Sequence, residues 1–142
     1  MRWTAFDGQK QVCRRLVSRT EMSQSASQAA AFYRDVAQFG RVWTVKDDGG
    51  YPAPKNQSGQ RAQPFWSSAS RVERIIDGVA AYAGFEPVEI SWQEFRDNWV
   101  PGLAESGLLV GVNWSGKRAT GYDLEPGAVV ERVEAARATD AS

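Results

Sequence analysis

Histidine is absent from this chain of 142 residues, and cysteine occurs once, as Cys13. The chain therefore lacks the commonest general base near neutral pH and the commonest metal ligand. A single cysteine cannot form a disulfide within the chain, which fits a reducing compartment. No apolar run approaches the length of about 18 residues that is typical of a membrane-spanning helix. These absences predict a soluble cytoplasmic protein without a metal or a cofactor.

The formal net charge is zero, so no long-range field favours nucleic acid or an anionic membrane. The charge is nevertheless uneven, because residues 1–21 carry five basic and two acidic side chains and lack the continuous apolar segment of a secretory signal. We expect residues 1–21 to form a basic, weakly ordered extension, with a transit-like or nucleic-acid-binding arm as alternatives. A single domain is expected over residues 22–137, and a frayed tail over residues 138–142.

Apolar residues at helical spacing predict the helices. The first helix should run from about Ser27 to Phe39, with Ser25 as its cap and Gly40 as its stop. A second helix should begin at a capping box that starts at Ser70. Its predicted buried stripe consists of Val72, Ile75, Ile76, Val79 and Tyr82.

Alternating and β-branched residues predict the strands, including Arg41–Lys46 and a central strand over Leu108–Trp114. A period of two would place Leu108, Val110, Val112 and Trp114 on one face of that central strand. Tyr51–Arg61 is rich in proline, glycine and polar residues, so we expect an exposed loop there.

Two further helices complete the predicted order of elements. One has a capping box that starts at Ser91 and should be kinked or interrupted at Pro101. The other has Pro126 in its first turn. The order α-β-β-α-β-α-β-(β)-α predicts an α+β fold: a single-domain sandwich of about four helices on a mixed or antiparallel sheet of about four to five strands.

Six short motifs follow one another along the chain and together resemble a known family. They are Phe32-Tyr33, Val42-Trp43-Thr44, Gly50-Tyr51-Pro52, Pro64-Phe65-Trp66-Ser67-Ser68, Trp92-x-x-Phe95 and Val110-Gly-Val-Asn-Trp-Ser-Gly116. The chain resembles DUF2750, a bacterial domain family of unknown function, over roughly residues 23–133. The resemblance implies no activity, cofactor or catalytic residue. Small bacterial α+β domains of this kind often act as immunity or partner-binding proteins, which is an analogy of class only.

Two short segments with a tryptophan followed by serine, Pro64–Ser68 and Asn113–Gly116, stand at predicted strand ends. We call them the aromatic-serine corners, and they would converge if both strands end at the same edge of the sheet. Cations near the two tryptophans would suit an anionic group or an acidic protein surface. The candidate binding residues are Arg61, Trp66, Ser67, Asn113, Trp114, Ser115, Lys117 and Arg118. The alternative is that both tryptophans pack in the core or at its edge.

Catalysis is the less favoured interpretation, and we assign no catalytic residue. Ser67 or Ser115 could act as a nucleophile and Asp48 as an acid or base, but without histidine the base for a serine would be Lys117 or a carboxylate. The serines also lack a glycine-flanked nucleophile elbow, and no calcium-loop spacing is present. We therefore predict a non-catalytic protein-binding module, for example of the immunity type. The alternative is a regulator that binds a small anionic ligand or a nucleotide.

Overall fold

The computed structural model describes residues 3–4, 19–56 and 58–141. The extension predicted for residues 1–21 lies largely outside these residues. Trp3–Thr4 (β1) pairs in parallel with Tyr51–Pro52 (β3), and Arg19 already belongs to the first helix. Nowhere in the described ranges does a helix have both the length and the apolar character needed to cross a membrane.

The helices cover much of the described chain. They are α1 (Arg19–Phe39), α2 (Ala69–Gly78), α3 (Trp92–Glu94), α4 (Val100–Glu105) and α5 (Pro126–Ala141). A 3₁₀ turn (Ala80–Tyr82) follows α2, and a π-helical turn (Phe95–Trp99) joins α3 to α4. The interruption expected at Pro101 takes the form of this wider turn, which ends just before a proline that has no N–H to donate. Helix α5 continues through the predicted tail as far as Ala141.

The remaining strands form a two-stranded and a three-stranded sheet, which an isolated bridge joins and which we together call the mixed sheet. They are β2 (Arg41–Lys46), β4 (Ala62–Phe65), β5 (Glu86–Ser91), β6 (Leu109–Ser115) and β7 (Thr120–Leu124). Strands β2 and β5 are antiparallel, β4 and β6 are parallel, and β6 and β7 are antiparallel. Trp43 and Trp66 exchange two backbone hydrogen bonds of 2.8 and 2.7 Å, which connect β2 to β4. With this connection between the two sheets, the five strands lie in the order β5-β2-β4-β6-β7.

Helices cover both faces of this sheet. Successive side chains of a strand point to opposite faces, so the strands contribute residues to two hydrophobic clusters, one on each face. Helices α1 and α5 and the α3–α4 segment pack on one face. Its large buried side chains include Phe32, Val36, Phe65, Phe95, Trp99, Leu103, Val110, Val112, Val129 and Val133. Helix α2 covers the other face, where Trp66, Val72, Ile75, Tyr82 and Trp114 pack together. The predicted α+β class is confirmed, whereas the predicted order of elements lacks the two short strands β1 and β3.

The starts of the first two predicted helices are corrected by the structure. Helix α1 begins at Arg19, so Ser25 lies inside the helix and not at its cap. The alanines that follow Ser25 favour helix strongly and allow it to extend through the serine. Helix α2 is capped by Ser68, whose Oγ accepts a hydrogen bond from the N–H of Arg71 at 3.3 Å. The cap predicted at Ser91 is confirmed by a 3.1 Å bond from the N–H of Glu94.

The expectation of an exposed loop over Tyr51–Arg61 is wrong for its first part. Pro52, Ala53 and Pro54 are buried. The carbonyl of Pro54 accepts from the N–H of Ala62 at 3.1 Å, and the guanidinium of Arg61 donates to the carbonyl of Ala53 at 2.8 Å. These bonds hold the segment against the sheet, and residues 58–60 remain exposed.

The prediction that Trp114 shares a face with Val110 and Val112 is also wrong. The register of β6 against β7 shifts between Val112 and Ser115, and Asn113 has a positive φ of 49°. A bulge of this kind reverses the alternation of side chains that follow it. Trp114 therefore joins Leu109 in the cluster on the α2 side of the sheet.

Candidate functional site

The two aromatic-serine corners meet because β4 and β6 are parallel neighbours. Phe65, the last residue of β4, is paired with Val112, so Trp66 and Ser67 lie beside the last residues of β6. The N–H of Ser67 donates to Oδ1 of Asn113 at 2.9 Å, and Nε1 of Trp66 donates to the carbonyl of Trp114 at 2.8 Å. We call this meeting point the strand-end corner, formed by Trp66, Ser67, Asn113 and Trp114.

Asn113 is the centre of the strand-end corner. Its left-handed backbone is uncommon for a residue other than glycine, and asparagine tolerates it better than most. Its Nδ2 donates to Oγ of Ser67 and to the carbonyl of Gln28, both at 3.1 Å. The Asn113 amide thus uses both its oxygen and its nitrogen to join β4 and α1 to the bulge of β6.

Ser67 continues this network into α1. Its hydroxyl donates to Oδ2 of Asp35 at 3.0 Å, and only 3% of the residue is exposed. Gln28, about two turns before Asp35 on the same helix, accepts through Oε1 from the guanidinium of Arg71 on α2. The polar groups at the corner therefore bind one another and connect helices on opposite faces of the sheet.

Trp114 extends the corner to β7 and to the loop before β4. Its Nε1 donates to Oδ1 of Asp123 at 3.0 Å, and Nδ2 of Asn56 donates to Oδ2 of the same carboxylate at 3.0 Å. Burial raises the pKa of Asp123, and the two hydrogen bonds oppose that rise. Among the described residues, both donors to this carboxylate are neutral groups, an indole and an amide.

The eight predicted binding residues differ in accessibility. Trp66 is 0% exposed, Asn113 1% and Trp114 6%, so these side chains belong to the interior. Arg61 is half-buried and bonded to the backbone, and Ser115 is half-buried at the end of β6. Lys117 and Arg118 are exposed in the turn between β6 and β7. The structure thus brings Trp66, Ser67, Asn113 and Trp114 together inside the protein and leaves the two cations of the turn at its surface.

A second surface, which the sequence interpretation missed, lies between α1, β7 and α5. Two adjoining cavities of about 490 and 410 Å³ share Ala30, Tyr33 and Arg132. We call them together the α1–α5 groove. Its other lining residues are Ala26, Ala29, Arg34, Tyr122, Asp123, Leu124, Ala135, Ala136 and Thr139.

Tyr33 and Arg132 connect the walls of the α1–α5 groove. The guanidinium carbon of Arg132 lies 5.8 Å from the centroid of the Tyr33 ring, within the range of a cation–π contact. Burial raises the pKa of the Tyr33 hydroxyl, with Arg132 opposing and Tyr122 adding to the rise. Tyr33 therefore keeps its proton near neutral pH and can donate a hydrogen bond. Tyr122 is 41% exposed, unusually open for so large a side chain in this protein.

The sequence contains a partial signal for this groove. Val129 and Val133 have the spacing of a buried helical stripe on α5, and Arg132 borders that stripe. Tyr33 has the spacing of a core residue on α1. The sequence does not reveal that α1 packs against α5, because all strands from β2 to β7 lie between these two helices along the chain.

Comparison with known proteins places the chain in a family without assigning an activity. In the described part of the chain, no three acidic or cysteine side chains are grouped so as to hold a metal ion. No curated protein matches the chain. The family model described as a protein of unknown function, DUF2750, matches residues 29–133, which include every strand of the mixed sheet and most of the α1–α5 groove. The chain belongs to the DUF2750 family.

Proposed function

We propose that this protein is a non-catalytic protein-binding module that binds its partner through the α1–α5 groove. One observation carries the proposal: tyrosine and arginine side chains line an open groove, whereas the polar residues of the strand-end corner bind one another in the interior. Tyrosine and arginine are enriched among the residues that dominate protein–protein binding energy. Tyr33, Tyr122, Arg34 and Arg132 are the side chains that we assign to binding.

The state of Ser67 supports a role without catalysis. A serine nucleophile needs a base that accepts its proton and an open path to the substrate. Ser67 is buried, and its hydroxyl accepts from Asn113 while it donates to Asp35. This arrangement positions α1 against the ends of β4 and β6, which is a structural task.

A small anionic ligand is the second candidate, favoured by the size of the groove. Ligand sites commonly have volumes of about 300–1,000 Å³, and both cavities of the groove fall in that range, at about 490 and 410 Å³. Arg34 and Arg132 would supply the positive charge. The open shape of the groove favours a protein partner, because small-molecule sites usually enclose most of the ligand surface.

Affinity capture with matched variants tests the proposed function. The full chain is immobilised and exposed to lysate of its source organism, beside Arg132→Glu, Tyr122→Ser and, as a control on α2, Arg74→Glu. Any enriched protein is then purified and titrated against each variant by calorimetry. We expect direct binding that is lost in Arg132→Glu and Tyr122→Ser and kept in Arg74→Glu.

A charge reversal in the turn separates the groove from the surface predicted by sequence. Lys117→Glu and Arg118→Glu change the exposed cations that follow the strand-end corner. Loss of the purified partner in these variants, with binding retained in Arg132→Glu, would move the binding surface from the groove to the turn. Absence of any directly binding protein would count against a protein-binding role altogether.

A further inference from the structure

We infer that the α1–α5 groove takes an acidic segment of the partner protein. This inference rests on the proposed function and adds the chemical class of the bound segment. The groove presents one cation on each helical wall, Arg34 on α1 and Arg132 on α5, and both are exposed. An acidic segment lying between them would meet a positive charge on each side.

The two arginines have no ion pair with another described side chain, because the ion pairs of the described residues involve Arg41, Arg96 and Arg137. Asp35, Asp123 and Glu134 make bonds or ion pairs elsewhere, whereas Glu131, next to Arg132 in the chain, is exposed. Asp35 accepts from Ser67, and Asp123 accepts from Trp114 and Asn56. Glu134 on α5 lies 3.6 Å from Arg96 and 3.7 Å from Arg137. Neither Arg34 nor Arg132 forms an ion pair with a described side chain, so both guanidinium groups can donate to a ligand.

The rest of the lining favours a peptide over an isolated anion. Methyl and isobutyl groups also line the groove, from Ala26, Ala30, Leu124, Ala135 and Ala136. Such a surface binds apolar side chains, while the Tyr33 and Tyr122 hydroxyls can bond to backbone carbonyls. A segment that combines carboxylates with small apolar residues would satisfy both parts.

The length of the α1–α5 groove indicates that the bound acidic segment is short. On α5 the lining extends from Arg132 to Thr139, which corresponds to about 10 Å of helix. An extended chain covers that distance in about three to four residues. Residues 1–21 of this chain carry five basic and two acidic side chains, so their charge does not complement the arginines. The charge favours a segment from another protein.

Peptide display on the full chain tests this inference. Short random peptides are selected on the immobilised protein, and an enriched peptide is synthesised with a fluorescent label for anisotropy. We expect enrichment of Asp and Glu, and an affinity that falls about tenfold or more in Arg34→Glu and Arg132→Glu. Arg74→Glu should bind as the unchanged protein does. Replacing the carboxylates of the peptide with amides should weaken it to a similar extent.

The outcomes separate this inference from the proposed function. If a purified partner needs the groove but binds equally well after its carboxylates are neutralised, the acidic class is wrong and protein binding stands. If selection yields no acidic enrichment, the inference is overturned as well. If inorganic phosphate or citrate raises the melting temperature through Arg132 while no peptide or protein binds, both fail in favour of the small anionic ligand.

Discussion

The indole ring of Trp114 lies directly over the backbone of Gly111. A Cβ at position 111 would stand 2.2 Å from Cε2 of Trp114 and 2.4 Å from its Nε1. The bulge at Asn113 places these residues on the same face of β6, and Asp123 on β7 is paired with Gly111 and accepts from the indole. The missing side chain of Gly111 thus creates the space in which Trp114 reaches Asp123.

Gly111→Ala should therefore destabilise the fold by about 1–3 kcal/mol, the usual cost of forcing an extra methyl group into a packed interior. The indole must move, and its bond to Asp123 would lengthen or break. Urea unfolding measures the change. Gly127→Ala is the matched control, because a Cβ there meets nothing within 4 Å and alanine favours helix α5. Equal stability of the two variants would contradict the packing described for Trp114.

Asn113 makes two separable contributions, its backbone conformation and its amide bonds. Asn113→Gly keeps the left-handed conformation at low cost and loses the bonds to Ser67 and Gln28, which should lower stability by about 2 kcal/mol. Asn113→Ala loses the same bonds and adds about 1 kcal/mol of backbone strain. Alanine should thus be the less stable variant, the reverse of the usual order in regular structure. Chemical unfolding of both variants checks the order, and a more stable alanine variant would argue against the bulge.

The bulge marks the point in β6 beyond which side-chain alternation no longer predicts the face of a residue. Alternation correctly placed Leu108, Val110 and Val112 on one face of the central strand, because those residues precede the irregularity. Nothing in a period of two reveals that Asn113 has a positive φ, so Trp114 was assigned to the wrong face. The meeting of the two corners depended on β4 and β6 being parallel neighbours, a long-range pairing that local propensity does not contain.

The loop before β4 and the groove illustrate the same limit. Prolines and polar residues predicted exposure over Tyr51–Arg61, but backbone bonds to Ala53 and Pro54 bury its first part. The α1–α5 groove depends on two helices that are distant in sequence, and its residues have ordinary helical spacing. Composition and periodicity thus predict where helices and strands form. Which residues are accessible depends on the contacts between those elements, which the sequence pattern does not contain.

Ser67→Ala should separate a structural role of the strand-end corner from a functional one. The substitution removes the donor to Asp35 and an acceptor for Asn113, so we expect a loss of about 1–2 kcal/mol in stability. Binding through the α1–α5 groove should persist in the folded variant. Ser70→Ala is the control, since its Oγ contacts only the Ser68 hydroxyl at 3.4 Å among the bonds described. Thermal unfolding and partner titration together give both readouts.

Asp123 should make the fold less stable as the pH rises through its titration range. Burial raises the pKa of Asp123 in the folded protein above the ordinary value of about 3.9. Between these two pKa values the folded state holds a proton that the unfolded state releases, so the free energy of unfolding declines with pH. Asp123→Asn removes this dependence, although it also loses one acceptor for Trp114 or Asn56. We expect the stability of the unchanged protein relative to Asp123→Asn to decrease as the pH rises from the ordinary carboxyl pKa to the higher pKa of the folded protein.

Asp97 provides a control of opposite sign for that experiment. The hydrogen bond from Arg96 lowers the pKa of Asp97, so its contribution to stability grows as the pH rises above the folded pKa. Urea unfolding of the unchanged protein, Asp123→Asn and Asp97→Asn over the same pH range supplies both differences. The Asp97 difference should rise slightly with pH, because the pair is exposed and well screened. A constant or rising Asp123 difference would show that the bonds from Trp114 and Asn56 outweigh the effect of burial on this carboxyl group.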